Sequence, residues 1–171
     1  MVVVCIAMVA VGFVVARNLR GTAGSDQIAG TAAGDVLRGK SGGDVLKGLA
    51  GGDRLFGLRG NDFLIGGKGK DRLEGGSGRD RLKGGGGRDK LIGGKGPDQL
   101  LAGGGGAVLK GGPGYDTFNG KEGAQKGGRG DDLIKARDGR EDFVNCGGGN
   151  DVAIVDGSED GVFGCEEVRD A

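Results

Sequence analysis

Residues 66–101 divide without a slip into four nines, GGKGKDRLE, GGSGRDRLK, GGGGRDKLI and GGKGPDQLL. Each nine holds one reliably apolar position, the leucine two places after the aspartate. No single unit can build a core on that, so neighbouring units must stack until their leucines lie behind one another. Glycine adopts positive φ at no steric cost and lets backbones approach closely. Three glycines within four residues therefore mark a turn of unusual shape. Stacking then sets each aspartate beside the aspartates of neighbouring turns, where like charges in register repel. A cation between them removes that conflict. Carboxylates combined with the carbonyls of a glycine-rich turn form a hard, all-oxygen donor set, which suits Ca²⁺ better than a transition metal.

The same phase extends well beyond this stretch. From Gly21 the nines run uninterrupted to Asn119, eleven units in all. Their aspartates, the candidate ligands, are Asp26, Asp35, Asp44, Asp53, Asp62, Asp71, Asp80, Asp89, Asp98 and Asp116. Two places on runs an apolar series from Ile28 through Leu37 and Leu46 to Phe118. The tenth unit, AGGGGAVLK, has Ala107 in place of the aspartate and keeps Leu109. The core position thus outlasts the ligand position. A shortened unit, GKEGAQK, follows Asn119, and the later units GGRGDDLIK, ARDGREDFV and CGGGNDVAI supply the weaker candidates Asp132 and Asp151.

Composition bounds what such a stack can be. The chain has 171 residues with 45 Gly, 6 Phe, 1 Tyr and no Trp, so large core side chains are scarce. Glycine loses the most conformational freedom on folding, and one buried leucine per nine residues offsets little of that. The metal-free chain is expected to be loose, with ion binding supplying folding free energy. Lys+Arg and Asp+Glu balance at 24 each. The absence of histidine removes Ser-His-Asp and Cys-His triads and histidine-based zinc motifs together. With repeats filling most of the chain and neither a nucleophile elbow nor HExxH present, the chain is not expected to be an enzyme.

The ends differ from the middle. Residues 1–16, MVVVCIAMVAVGFVVA, are almost wholly apolar and stop at Arg17, the length of a secretory h-region, although a basic leader is missing. They read as a signal peptide or an apolar N-terminal segment. If they are removed, Cys146 and Cys165 remain. An even pair in an exported chain reads as a disulfide, the alternative being a reactive or metal-binding pair. Residues 17–135 form the repeat domain, and residues 136–171 read as degenerate repeats with a C-terminal cap.

The pattern G-G-x-G-x-D-x-L-x, over about residues 21 to 154, resembles the RTX, or haemolysin-type calcium-binding, nonapeptide repeat family. The resemblance implies an all-β, right-handed parallel β-roll of eighteen residues per coil, with Ca²⁺ held between successive turns on each side. One row of ligands is then Asp26, Asp44, Asp62, Asp80, Asp98 and Asp116, continuing to Asp132 and Asp151. The other is Asp35, Asp53, Asp71 and Asp89, which then meets Ala107, Gln125 and Glu141 and should end near residue 98. Counting one ion between successive same-side aspartates gives about eight Ca²⁺. Three cations, Lys70, Arg79 and Arg88, precede ligands where the family usually has small residues, and are expected to weaken affinity.

The position after each ligand should face outward. On the second side Arg54, Arg72 and Lys90 would form a ladder of like charge, either a solvated face or a docking strip for an anionic cell-surface polymer. The resulting expectation is a secreted or surface calcium-binding roll with a structural or interaction role. The alternatives are the appendage of a secreted enzyme of the same repeat family, or a calcium-dependent adhesin.

Overall fold

A computed structural model describes residues 2–4, 18–105, 107–120, 123–136, 142–155 and 161–170. These segments form nineteen strands: β1 (Val2–Val4), β2 (Asn18–Arg20), β3 (Asp26–Ala29), β4 (Val36–Ser41), β5 (Val45–Ala50), β6 (Arg54–Arg59), β7 (Phe63–Lys68), β8 (Arg72–Ser77), β9 (Arg81–Gly86), β10 (Lys90–Lys95), β11 (Gln99–Gly104), β12 (Ala107–Pro113), β13 (Thr117–Gly120), β14 (Gly123–Arg129), β15 (Leu133–Ala136), β16 (Asp142–Gly148), β17 (Val152–Val155), β18 (Gly161–Phe163) and β19 (Glu167–Asp170). Odd strands make a ten-stranded sheet and even strands a nine-stranded one, in chain order and with every pairing parallel. Leu73 sits in register with Leu55 on one side and Leu91 on the other, so one coil takes eighteen residues. The fold is a parallel β-solenoid.

Strand alternation explains why so little apolar material suffices. In β8 the aspartate-proximal Arg72 faces out and Leu73 faces in, as period-2 geometry requires. Leu37, Leu46, Leu55, Leu64, Leu73, Leu82, Leu91 and Leu100 are all fully buried, each touching the equivalents one coil away. The core is a double column of leucines between two sheets.

From Gly39 to Asn119 the turns take left-handed backbone at two places per unit. Gly85 and Gly87 have φ of 120° and 125°, and a Cβ on either would run into the carbonyl oxygen of Gly67 or Gly69 in the preceding coil. Three of the five early units that lack the second glycine adopt the same turn at a cost: Lys40, Leu49 and Leu58 hold φ of 92°, 83° and 86°. A left-handed conformation costs a non-glycine residue about 1–2 kcal/mol.

One sequence expectation is corrected. Gln125 does not stand in the aspartate row; it pairs with Leu109 and Val144 and occupies the leucine column. The row instead passes from Ala107 to Gly123 and Asp142, not to Glu141, a residue outside those described. The shortened unit keeps its glycines aligned, Gly112 with Gly128, and this fixes the register. Gln125 is buried with neither side-chain polar atom hydrogen-bonded, an arrangement that costs about 1–3 kcal/mol. The shortening and a compensating extra residue fall between strands: the ladder step from Asp116 is 16 residues, and the next is 19.

The C-terminal segment continues the solenoid through β16–β19. Cys146 and Cys165 form a disulfide across 19 residues, and Phe143 stacks against Phe163 at 5.3 Å. Val168, in register with Ala153, is half exposed at the open end of the core. At the other end β1 pairs in parallel with Asp26–Ile28, and residues 1 and 5–16 of the apolar run lie outside those described.

Candidate metal centre

Strand pairing decides where the aspartates go. Each but Asp26, the first residue of β3, occupies the last turn position before a strand, and the carbonyl of one coil receives the strand N–H of the next, as in Arg72 N–H to Asp53 O at 2.8 Å. That pairing leaves the N–H of the aspartate itself to be satisfied. It donates to Oδ1 of the aspartate one coil on: Asp26 to Asp44, Asp44 to Asp62, Asp62 to Asp80 and Asp80 to Asp98, at 2.8–2.9 Å. The row runs on from Asp98 through Asp116 and Asp132 to Asp151, so the two weaker candidates make the same contacts. Glu166 Oε2 accepts the last N–H, from Asp151, at 2.7 Å. The second row links Asp35, Asp53, Asp71 and Asp89, after which Ala107 offers no acceptor.

The second carboxylate oxygen is the chemically open one. Oδ2 of Asp44, Asp53, Asp62, Asp71, Asp80, Asp89, Asp98, Asp116, Asp132 and Asp151 is buried without a hydrogen-bond donor. It faces another acceptor. A Cβ built on Gly84 would sit 2.5 Å from Asp89 Oδ2 and 2.5 Å from the carbonyl oxygen of Ala102. The same pairing recurs at Gly57, which lies between Asp62 Oδ2 and Gly75 O, and at Gly66, between Asp71 Oδ2 and Gly84 O. From Gly21 to Gly84, and again at Gly127, the glycine that opens the unit is thus the open floor of a cradle walled by a carboxylate and a carbonyl. Two acceptor oxygens facing each other without a donor call for a cation, and hard oxygen donors suit Ca²⁺. No three acidic, cysteine or histidine side chains converge among the described residues. Each cradle relies on main-chain carbonyls beside its carboxylate, as oxygen-ligated calcium sites do.

Electrostatics agree with that reading. Burial raises the carboxyls of Asp53, Asp62, Asp80, Asp98 and Asp132 to about 6 and that of Asp116 to about 7. The N–H bond to Oδ1 opposes the shift, and at Asp62 the charges of Asp80 and Asp44 add to it. Asp44, Asp71, Asp89 and Asp151 shift upward, first through burial. Without a cation the anionic ladder is destabilised by its own surroundings.

The RTX calcium-binding nonapeptide repeat model, in 4 copies, matches residues 18–46, 29–64, 38–73, 47–82 and 65–100. Residues 18–100 carry RTX calcium-binding nonapeptide repeats. A comparison with curated proteins found no match. The RTX ladder itself continues past residue 100, through Asp116, Asp132 and Asp151, so the geometry of the repeat persists where its sequence loosens.

Sequence reasoning named the aspartates of both rows and missed what distinguishes the first of each. Thr22 and Thr31 donate to Asp26 and Asp35, and the signal was the pair of GT dipeptides opening the first two units. Lys70, Arg79 and Arg88 are exposed at the turn surface.

Proposed function

We propose that this protein is an exported, non-catalytic calcium-binding roll that folds as ions enter its stacked turns. The observation that carries the reading is the run of buried Oδ2 atoms lacking a donor, of which those of Asp44, Asp53, Asp62, Asp71, Asp80, Asp89 and Asp132 are set toward a carbonyl oxygen. Calcium supplies there what the chain lacks, and its binding free energy becomes folding free energy. Export is supported by the Cys146–Cys165 disulfide, which persists in oxidising compartments. The test is far-UV circular dichroism of the chelator-treated chain during a Ca²⁺ titration, with Mg²⁺ as control. A coil-to-strand transition with Ca²⁺ alone is expected. A strand signal indifferent to chelator at neutral pH would show that leucines and disulfide suffice.

A surface role is the finer part of the proposal. The nine-stranded sheet sets Arg54, Arg72 and Lys90 side by side in register, and Arg38, Lys110 and Lys126 in the neighbouring outward column. Among the described outward residues of that face Glu74 is the single acid, and Arg72 Nε already holds it at 2.6 Å. Twelve of the 24 acidic residues that balance the chain's cations are aspartates buried in the turns. The partner we propose is an anionic cell-surface polymer. Dextran sulfate serves as a probe: binding is expected in Ca²⁺, weakened at least tenfold in R54E/R72E/K90E. Equal binding by that variant would remove the strip from the reading.

A further inference from the structure

The two rows do not begin as they continue. Of twelve buried aspartates in the ladders, ten leave Oδ2 without a donor, and Asp26 and Asp35 do not. Thr22 donates its N–H to Asp26 Oδ2 at 2.5 Å and its hydroxyl to the same oxygen at 3.0 Å. Thr31 repeats the arrangement on Asp35, at 2.6 and 2.9 Å. The threonine hydroxyls in turn accept N–H bonds from Gly24 and Ala33 at 3.1 and 3.2 Å, which orients them.

Backbone geometry explains why only these units do this. Both threonines occupy the second position of their nine, where Lys40, Leu49, Leu58 and then glycines from Gly67 onward have positive φ. Thr22 and Thr31 are not among the residues with positive φ. Their N–H groups turn toward the carboxylate instead of away from it. The cradle remains otherwise intact: a Cβ on Gly21 would meet Asp26 Oδ2 at 2.5 Å and Gly39 O at 2.6 Å.

We propose that Thr22 and Thr31 stand in for the metal at the first turn of each row, so that calcium binding begins at Asp44 and Asp53. Two donors on one carboxylate oxygen satisfy it as a cation would, without the ion. The roll therefore opens on a coil that needs no metal. That coil supplies a formed edge on which the first ion-bound turn is laid, in place of nucleation from a disordered chain. The inference rests on the calcium reading given above and adds which aspartates are exempt from it.

Calcium content per chain, measured by metal analysis after equilibrium dialysis, tests it. D26N/D35N is expected to bind as many ions as the wild type, whereas D62N/D71N binds fewer. T22G/T31G, which restores the glycine of the later units, is expected to gain two ions, with circular dichroism in saturating Ca²⁺ reporting the roll. Loss of two ions in D26N/D35N, or an unchanged count in a folded T22G/T31G, would overturn the inference. The asparagine pair decides alone if the glycine pair fails to form strands. A wild-type chain that binds no calcium overturns the calcium reading itself, a different result from either.

Discussion

Stripped of calcium, the chain is expected to be more folded at pH 4 than at pH 8. The carboxyls of Asp53, Asp62, Asp80, Asp98 and Asp132 are raised by burial from 3.8 to about 6, and Asp116 to about 7. A carboxyl with a higher pKa in the folded state binds its proton more tightly there than in the unfolded chain. Its contribution to stability is complete below the unfolded value and is lost as pH rises through the folded one. For these groups the loss begins above 3.8 and finishes past about 7. Each pKa unit per site is worth about 1.4 kcal/mol, and several sites act together, though coupling spreads the transition. A proton on Oδ2 does part of the work of the ion: it removes the charge and gives the facing carbonyl a donor. Calcium requires the deprotonated carboxylate, so the loaded roll has the opposite dependence, held at neutral pH and released on acidification. The two forms should therefore cross. Far-UV ellipticity of the dialysed chain, followed from pH 8 to pH 4 at moderate salt with and without Ca²⁺, reads both limbs. A calcium-free signal that is strongest at neutral pH would mean that the aspartates are solvated in the metal-free state and that the ladder is not preserved there.

How far the sequence revealed this arrangement depends on the kind of interaction. Leu73 and Asp71 were legible because stacking repeats their surroundings every coil, so a period in the sequence becomes a column in space. Gln125 was misplaced because counting nines across a shortened unit assumes that the deletion falls evenly, whereas the aligned glycines of neighbouring coils set the pairing. Placing Gly128 under Gly112 took precedence over keeping Gln125 out of the core. Thr22 and Thr31 differ from the later units by one side chain and one backbone angle, and only the hydrogen-bond geometry shows that these satisfy a carboxylate. The formal neutrality of the chain concealed a separation by depth. The ladder aspartates are buried in the turns, while Arg54, Arg72 and Lys90 stand outside. Periodicity records neighbours along the stack; it does not record which polar group is satisfied by which.

Two adjacent glycines should respond to the same substitution in opposite ways. Gly86→Ala is expected to leave calcium-loaded stability within about 0.5 kcal/mol of wild type. Gly87→Ala is expected to destabilise the roll by more than about 3 kcal/mol, the sum of a left-handed backbone penalty and a steric conflict. A Cβ on Gly86 meets nothing within 4 Å, and its φ is outside the left-handed range. Gly87 has φ of 125°, and a Cβ there would run into the carbonyl oxygen of Gly69 in the preceding coil. That carbonyl belongs to a turn, and Gly69 N–H donates to Gly86 O at 2.8 Å, so relieving the clash means parting two coils. Parting them also stretches the step from Asp71 to Asp89, because Asp71 N–H donates to Asp89 Oδ1 at 2.9 Å across the same gap. The steric defect therefore becomes a binding defect. Gly87→Ala should raise the calcium concentration at the folding midpoint, and Gly86→Ala should not. Chemical denaturation and calcium titration of the two variants separate these effects. If both variants behaved alike, glycine would matter in these turns for chain flexibility and not for coil-to-coil contact, and the cradle geometry drawn from close stacking would lose its support.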